Sequence, residues 1–310
     1  MSRSDEHGGG AAVAGHHKSH NGGPVVAYLG PAGTYTEQAA IDLAGPGAEL
    51  LSCLSVPAAI RAVMDGTAAA AVVPAENALE GAVSATMDFL AHEPRAPQVT
   101  GEAVVAVHHL LAAPAGAVLS RITVVYSHPQ ALAQCRGRLE ALLPHATQVA
   151  AASTAEAARL VAAGHAGVGV SGNPATAACI ASRRAVDLHG LAVISDDVQD
   201  EPANATRFWL LARDQAPPTG RDKTSIVFSV PHRAGTLHEA LGVFAGINLT
   251  RIESRPSRRS LGEYLFFVDF EGHAGDPAPS RALAQLQGIA DWVRVLGSYR
   301  SAGGLGSIQR

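Results

Sequence analysis

Val25-Val26-Ala27-Tyr28-Leu29-Gly30-Pro31-Ala32-Gly33-Thr34-Tyr35-Thr36 is the stretch that sets the fold. The first five residues are an apolar run too short for a helix, and Gly30-Pro31 stops it, which reads as a buried strand. A helix follows over 36–44. A buried strand that turns through glycine into a helix is half of a βαβ unit, and the rhythm recurs downstream. Helices are expected over 58–64, 85–91, 129–143, 155–163 and 175–184. Strands are expected over 70–73, 104–111, 122–126, 148–151, 168–170, 192–194 and 207–211. The alternation predicts parallel βαβ units with helices on both faces. The strands outnumber the needs of one compact sheet, so two lobes with a cleft between them are expected. Ligands of such sheets bind beyond the carboxyl ends of the strands.

Ala216-Pro217-Pro218-Thr219-Gly220 breaks the rhythm and reads as a stiff linker. Beyond it, strands over 224–230, 247–253, 264–270 and 292–296 enclose two helices marked by Leu237, Leu241 and Phe244 and by Leu283, Leu286 and Ile289. That is βαββαβ, the ferredoxin-like order. The expected division is a tail over 1–23, a two-lobed region over 24–213, a linker over 214–222 and a small domain over 223–302.

Composition narrows the function. Of 310 residues, 47% are hydrophobic and 16% charged, which supports a sizeable core. The net charge is −4 and Lys18 and Lys223 are the only lysines, so no nucleic-acid surface is expected. No apolar run reaches about 18 residues, so no membrane span is expected. Residues 1–23 lack an apolar signal core, which points to the cytoplasm. Cys53, Cys135 and Cys179 are far apart with no metal-ligand spacing, and His7, His16, His17 and His20 sit in the Gly-rich start. No metal site is expected. P-loop, HExxH and GxSxG motifs are absent, and no cofactor is expected.

Hydroxyls crowd the strand-to-helix junctions: Thr34 and Thr36, Ser127, Ser153 and Thr154, and Ser171. Each could be an ordinary helix N-cap, worth about 1 kcal/mol. Together they mark helix N-termini, whose free N–H groups and positive dipole ends suit a carboxylate. Two further segments carry polar groups at strand ends. Pro74-Ala75-Glu76-Asn77 either orients a polar ligand or caps a turn. Asn204-Ala205-Thr206-Arg207-Phe208 opens an apolar strand, where polar groups need partners.

These segments resemble a known family. Gly30-Pro31-Ala32-Gly33-Thr34-Tyr35-Thr36-Glu37, Pro74 to Val83, Ser127-His128-Pro129-Gln130-Ala131-Leu132, Ser153 to Ala158 and Asn204 to Phe208 are similar to the ordered motifs of prephenate dehydratases. The second domain resembles an ACT domain. The resemblance covers about 25–301. It implies a lobed region like a type 2 periplasmic-binding fold, joined to the ACT domain in dimers or tetramers. It implies loss of water and carbon dioxide from prephenate without a cofactor, giving phenylpyruvate, with phenylalanine as the allosteric ligand. By the same resemblance Thr206 assists the leaving hydroxyl, Arg207 holds a carboxylate or braces the site, and Phe208 shapes the pocket wall. Thr34, Glu76, Asn77, Ser127, Gln130, Ser153 and Thr154 would position substrate. Gly235, Thr236 and Leu237, with Glu253-Ser254-Arg255-Pro256, would bind the effector. The chain departs from the family at Ala78, where serine is usual, and at Ala234-Gly235-Thr236-Leu237, where Pro-Gly-Ala-Leu is usual. The Ala245-Gly246 connection is also shorter. Arogenate dehydratase and a catalytically silent amino-acid sensor are the alternative readings.

Overall fold

In the computed structural model, which describes residues 22–165, 176–258, 260 and 262–302, the opening stretch forms strand β1, Val25–Leu29, and helix α1, Tyr35–Ala44. Then come β2 (Glu49–Cys53), α2 (Val56–Asp65), β3 (Ala70–Asn77), the two-residue β4 (Gly81–Ala82), α3 (Ser84–His92) and β5 (Gln98–Ala106). The second lobe holds β6 (Leu110–Ala113), β7 (Ile122–Ser127), α4 (Pro129–Gln134), α5 (Arg136–Leu142), β8 (Thr147–Ala150), α6 (Thr154–Ala162), β9 (Thr176–Ala181), α7 (Arg183–Leu188) and β10 (Ala192–Ser195). The chain then returns to the first lobe as β11, Ala205–Ala212.

The first sheet runs β2-β1-β3-β11-β5 and the second β8-β7-β9-β6-β10. Both have the same plan: three parallel strands, then one entering from the other lobe, antiparallel to its neighbours. The sheets are therefore mixed, not wholly parallel. The expected strand over 104–111 is really two. Residues 107–109 leave the first sheet and cross to the second, and His108-His109 interrupt the apolar run at that crossing.

The expected helix over 175–184 is also two elements. Thr176–Ala181 is a central strand buried on both faces, and continuous apolar burial hides the two-residue period that would reveal a strand. Ser182 caps α7 by accepting from Ala185 N at 3.1 Å. The helix expected over 129–143 breaks at Cys135, whose backbone (φ −114°, ψ 11°) leaves the helical range. Strand β2 was not expected, and the expected strand at 168–170 with Ser171 lies outside the described residues.

The small domain is β12 (Asp222–Ser229), α8 (Thr236–Gly242), β13 (Leu249–Pro256), β14 (Tyr264–Glu271), α9 (Pro277–Ile289) and β15 (Trp292–Arg300). Its antiparallel sheet runs β13-β14-β12-β15, the expected ferredoxin-like order. One face, with Ile226, Phe228, Val268 and Phe270, packs under α8 and α9. The other face packs on the first lobe: Val227, Leu265, Phe267, Leu296 and Tyr299 share a core with Val73, Met87, Trp209 and Leu211. The two sheets approach closely at Gly297, where an added Cβ would lie 2.1 Å from Val99 O.

Candidate functional site

Side chains alternate across a strand, so neighbours along β11 serve opposite faces. Phe208 and Leu210 pack with Val26, Tyr28, Ala39 and Ala40 toward α1. Trp209 and Leu211 pack toward the small domain. Thr206 follows the parity of Phe208, and Arg207 follows that of Trp209, whose ring its guanidinium overlies at 5.4 Å. The register pairs Thr206 with Asn77 and Arg207 with Glu76 on β3. One step of two strands thus carries a neutral pair on one face and an ion pair on the other.

The neutral pair sits where the chain passes between lobes. Asn77 Nδ2 donates to Thr206 Oγ1 (3.0 Å), to Asn204 Oδ1 (2.8 Å) and to Ala205 O (3.3 Å). Asn77 Oδ1 accepts from Leu79 N and Glu80 N, fixing the turn after β3. Asn204 Nδ2 donates to Gln134 Oε1 at 3.2 Å, and the same oxygen lies 3.0 Å from His109 Nε2. An acceptor there assigns the imidazole proton to Nε2, and burial pushes His109 below its ordinary pKa, so the ring is neutral at pH 7. The two inter-lobe connections are themselves paired: Val107 N bonds Asn204 O and Val198 N bonds His109 O, both at 2.9 Å.

The lobes meet at helix N-termini. Gly33, at φ +88°, precedes α1; an added Cβ there would lie 3.0 Å from Ala185 Cα and 3.4 Å from Ala155 Cβ. The first turns of α1, α6 and α7 therefore converge. Thr34 Oγ1 caps α1 by accepting from Glu37 N at 3.3 Å, and Ser153 Oγ caps α6 by accepting from Glu156 N at 2.9 Å. Thr154 is the first residue of α6. Across the junction Ser182 Oγ donates to Gly33 O at 2.6 Å, and Arg184 pairs with Glu37. Burial alone would raise the Glu37 carboxyl, but hydrogen bonds from Arg184 and Gly33 N–H outweigh it and hold the pKa below its ordinary value.

Other expected site residues stand elsewhere. Ser127 is fully buried and donates to Ile180 O at 2.8 Å, a strut between β7 and β9 rather than a helix cap; His128 caps α4. Gln130 lies in the first turn of α4, while Gln134, one turn further on, joins the Asn204 network. Glu76 and Arg207 lie on the face away from Thr206. Arg207 pairs with Glu76 (3.0 Å), Asp269 (2.7 Å) and Glu102 (3.6 Å), and Lys223 pairs with Glu102 (2.9 Å). Of the two roles the resemblance implies for Arg207, bracing fits this geometry. Gln134, His109, Ser182, Glu102 and Asp269 were not singled out from the sequence; the i, i+4 spacing of Gln130 and Gln134 on one helix face is the one signal that pointed there.

The two expected effector motifs also part. Gly235, Thr236 and Leu237 line a cavity of about 760 Å³ with Pro231, Trp292 and His92 of α3. Glu253, Ser254, Arg255 and Pro256 do not line it. Glu253 pairs with Arg251, and Arg255 with Asp88 of α3 at 3.3 Å, so this edge strand fastens the small domain to the first lobe. Among the described residues no group of three or more His, Cys, Asp or Glu could hold a metal ion, and no helix is long and apolar enough to cross a membrane.

Two lobes of one strand order, joined by two paired connections and followed by a ferredoxin-like module, define a type 2 binding-protein-like region with an ACT domain. Residues 26–216 match the prephenate dehydratase family and residues 224–288 the ACT domain family. The chain belongs to the prephenate dehydratase family. It is 43% identical over 290 residues to a prephenate dehydratase of Amycolatopsis methanolica, covering 90% of each chain. It is 40% identical over 301 residues to arogenate dehydratase 5 of Arabidopsis thaliana, covering 91% of this chain and 68% of that one. A prephenate dehydratase of Arthrobacter aurescens solved in complex with L-Phe superposes with a TM-score of 0.78, at 38% identity over 90% of each chain.

Proposed function

We propose that the chain converts prephenate to phenylpyruvate, carbon dioxide and water, the committed step toward phenylalanine. The observation that carries this reading is the hydrogen bond from Asn77 Nδ2 to Thr206 Oγ1. It occupies one lone pair of the hydroxyl oxygen and so turns the O–H away from Asn77, free to donate to a ligand.

Prephenate carries one carboxylate on its pyruvyl side chain, and a second carboxylate and a hydroxyl on a ring that becomes aromatic once both ring groups leave. The C–C bond to the departing carboxylate breaks, its electron pair flows through the ring, and the C–O bond to the hydroxyl breaks. That oxygen needs one proton to depart as water. Thr206 assists it by hydrogen bonding; because its own pKa is too high for a free acid, the proton is transferred in concert or by relay. Such assistance is worth about 10²–10⁴-fold in rate. The α1 and α6 N-termini, where Thr34 and Ser153 each use only one N–H, favour the substrate carboxylates through their remaining donors and dipole ends. Donors held this way before the reaction stabilise charge where it develops without reorganising. Phe208, 2% exposed, supports the strand beneath Thr206.

Phenylalanine is the effector of this reading, bound in the cavity lined by Gly235, Thr236 and Leu237. The protein acts in the cytoplasm as a homodimer or homotetramer, without a cofactor, nucleic acid or membrane. The deciding experiment compares kcat/KM for prephenate and arogenate; prephenate is preferred, and product from arogenate alone reverses the substrate assignment.

A further inference from the structure

Asp269 lies on β14 of the ACT domain and is 1% exposed. The surrounding face is apolar, with Val227, Leu265, Phe267 and Leu296 packed on the first lobe. A buried carboxylate in such a face is costly unless it is paired. Its ion-pair partner belongs to the other domain: Arg207, at 2.7 Å, the shortest of that guanidinium's ion-pair distances. The remaining charges around Arg207 are Glu76 of β3 and Glu102 of β5, with Lys223 of β12 on Glu102 and Arg251 of β13 on Glu76 at 3.6 Å. Arg207 is itself only 11% exposed at the side chain.

Arg207 is covalently next to Thr206, and Glu76 is next to Asn77. Where Arg207 is held therefore decides where β11 presents Thr206 to Asn77. The register of β11 on β3 shifts between Arg207 and Phe208, so on the side that carries Asn77 the ladder is irregular, while the pairing with β5 runs regularly from Ala205 to Leu210. We infer that Asp269 is a positioning residue for the dehydration: acting through Arg207, the ACT domain sets the placement of Thr206 in the cleft. The inference rests on the function proposed above and deepens it. It makes the ACT domain part of the catalytic scaffold as well as a place for an effector.

The test uses the full chain. Asp269→Asn keeps the shape and removes the charge, and kcat for prephenate is expected to fall about tenfold or more with KM within about twofold, because small misplacements of a reacting group cost rate. In an Arg207→Met background the same substitution is expected to have no further effect, since the two act as one unit. Arg294→Met is the control: Arg294 bonds Leu90 O (2.8 Å) and Glu93 O (2.7 Å) at another point of the same domain contact, and its loss is expected to leave kcat unchanged. The ¹³C-methyl resonance of Thr206, assigned with Thr206→Ser, is expected to shift in Asp269→Asn and to stay in Arg294→Met. Asp269→Glu, which keeps the charge on a longer arm, is the second variant and is expected to shift it too. Three results would overturn the inference: kcat within twofold of wild type in Asp269→Asn, an effect fully additive with Arg207→Met, or a Thr206 methyl unmoved in both Asp269 variants. The methyl reads the contact without turnover, so an inactive wild-type chain would count against the proposed reaction and not against this contact.

Discussion

Thr206→Val removes one hydroxyl and keeps the branched shape and strand preference of the side chain. Its cost to folding is small, because Asn77 Nδ2 retains Asn204 Oδ1 at 2.8 Å and Ala205 O at 3.3 Å after Thr206 Oγ1 is gone. One net hydrogen bond is worth about 1 kcal/mol. In a chain of this size that lowers Tm by about 2–4 °C. The cost to catalysis is larger. Loss of proton assistance to the leaving hydroxyl removes about 10²–10⁴-fold in kcat, or about 3–5 kcal/mol at about 1.4 kcal/mol per factor of ten. The helix N-termini that favour the carboxylates are untouched, so KM stays within a few-fold. Steady-state kinetics on prephenate, read beside a thermal melt of the same sample, separates the two magnitudes. A folded Thr206→Val protein whose kcat is within threefold of wild type would refute the role of the hydroxyl.

Three further outcomes follow from other contacts. Glu37 has its folded pKa held below its ordinary 4.5 by Arg184 and Gly33 despite burial. Its stabilisation is therefore complete above about pH 4.5 and is lost as pH falls below that value through the folded pKa. In melts between pH 7 and 3.5, Glu37→Gln is expected to be less stable than wild type at pH 7 by about 1.5–3 kcal/mol and to close that gap on acidification; a gap constant with pH would contradict the pairing. Gly297→Ala places a methyl 2.1 Å from Val99 O, so it is expected to cost about 3 kcal/mol or more and to raise protease cleavage within 214–222. For the effector, calorimetric titration with phenylalanine is expected to release heat alongside loss of turnover, and Gly235→Val, at φ +87°, to raise the half-inhibitory concentration at least tenfold; no heat and no inhibition would reject the sensing role.

The sequence announced most of what periodicity can announce. The β1-α1 opening, the capped helices at Ser153 and Thr34, and the whole βαββαβ module follow from local apolar pattern and caps. What stayed hidden was tertiary. The crossing at 107–109 is marked only by His108-His109, and it is the pairing of β5 with β11 and of β6 with β9 that assigns its halves to different sheets. Thr176–Ala181 has the composition of a helix and is a strand because it is buried on both faces. At the site, Thr206, Asn77 and the N-terminal hydroxyls were legible as polar groups at strand and helix ends. The opposite facing of Arg207 was implicit in strand alternation, but its partner Asp269 lies 62 positions away in another domain. The same limit applies to Glu253 and Arg255: their motif was visible, yet which face of β13 meets Asp88 depends on how the domains dock.

The measurement that bears most directly on the reaction is incubation of the full chain with prephenate, followed by absorbance of phenylpyruvate in alkali. The wild-type chain is expected to form phenylpyruvate catalytically and Thr206→Val to form it at least a hundredfold more slowly, as loss of proton assistance requires. Absence of phenylpyruvate above the uncatalysed background with the folded wild-type chain would contradict the account.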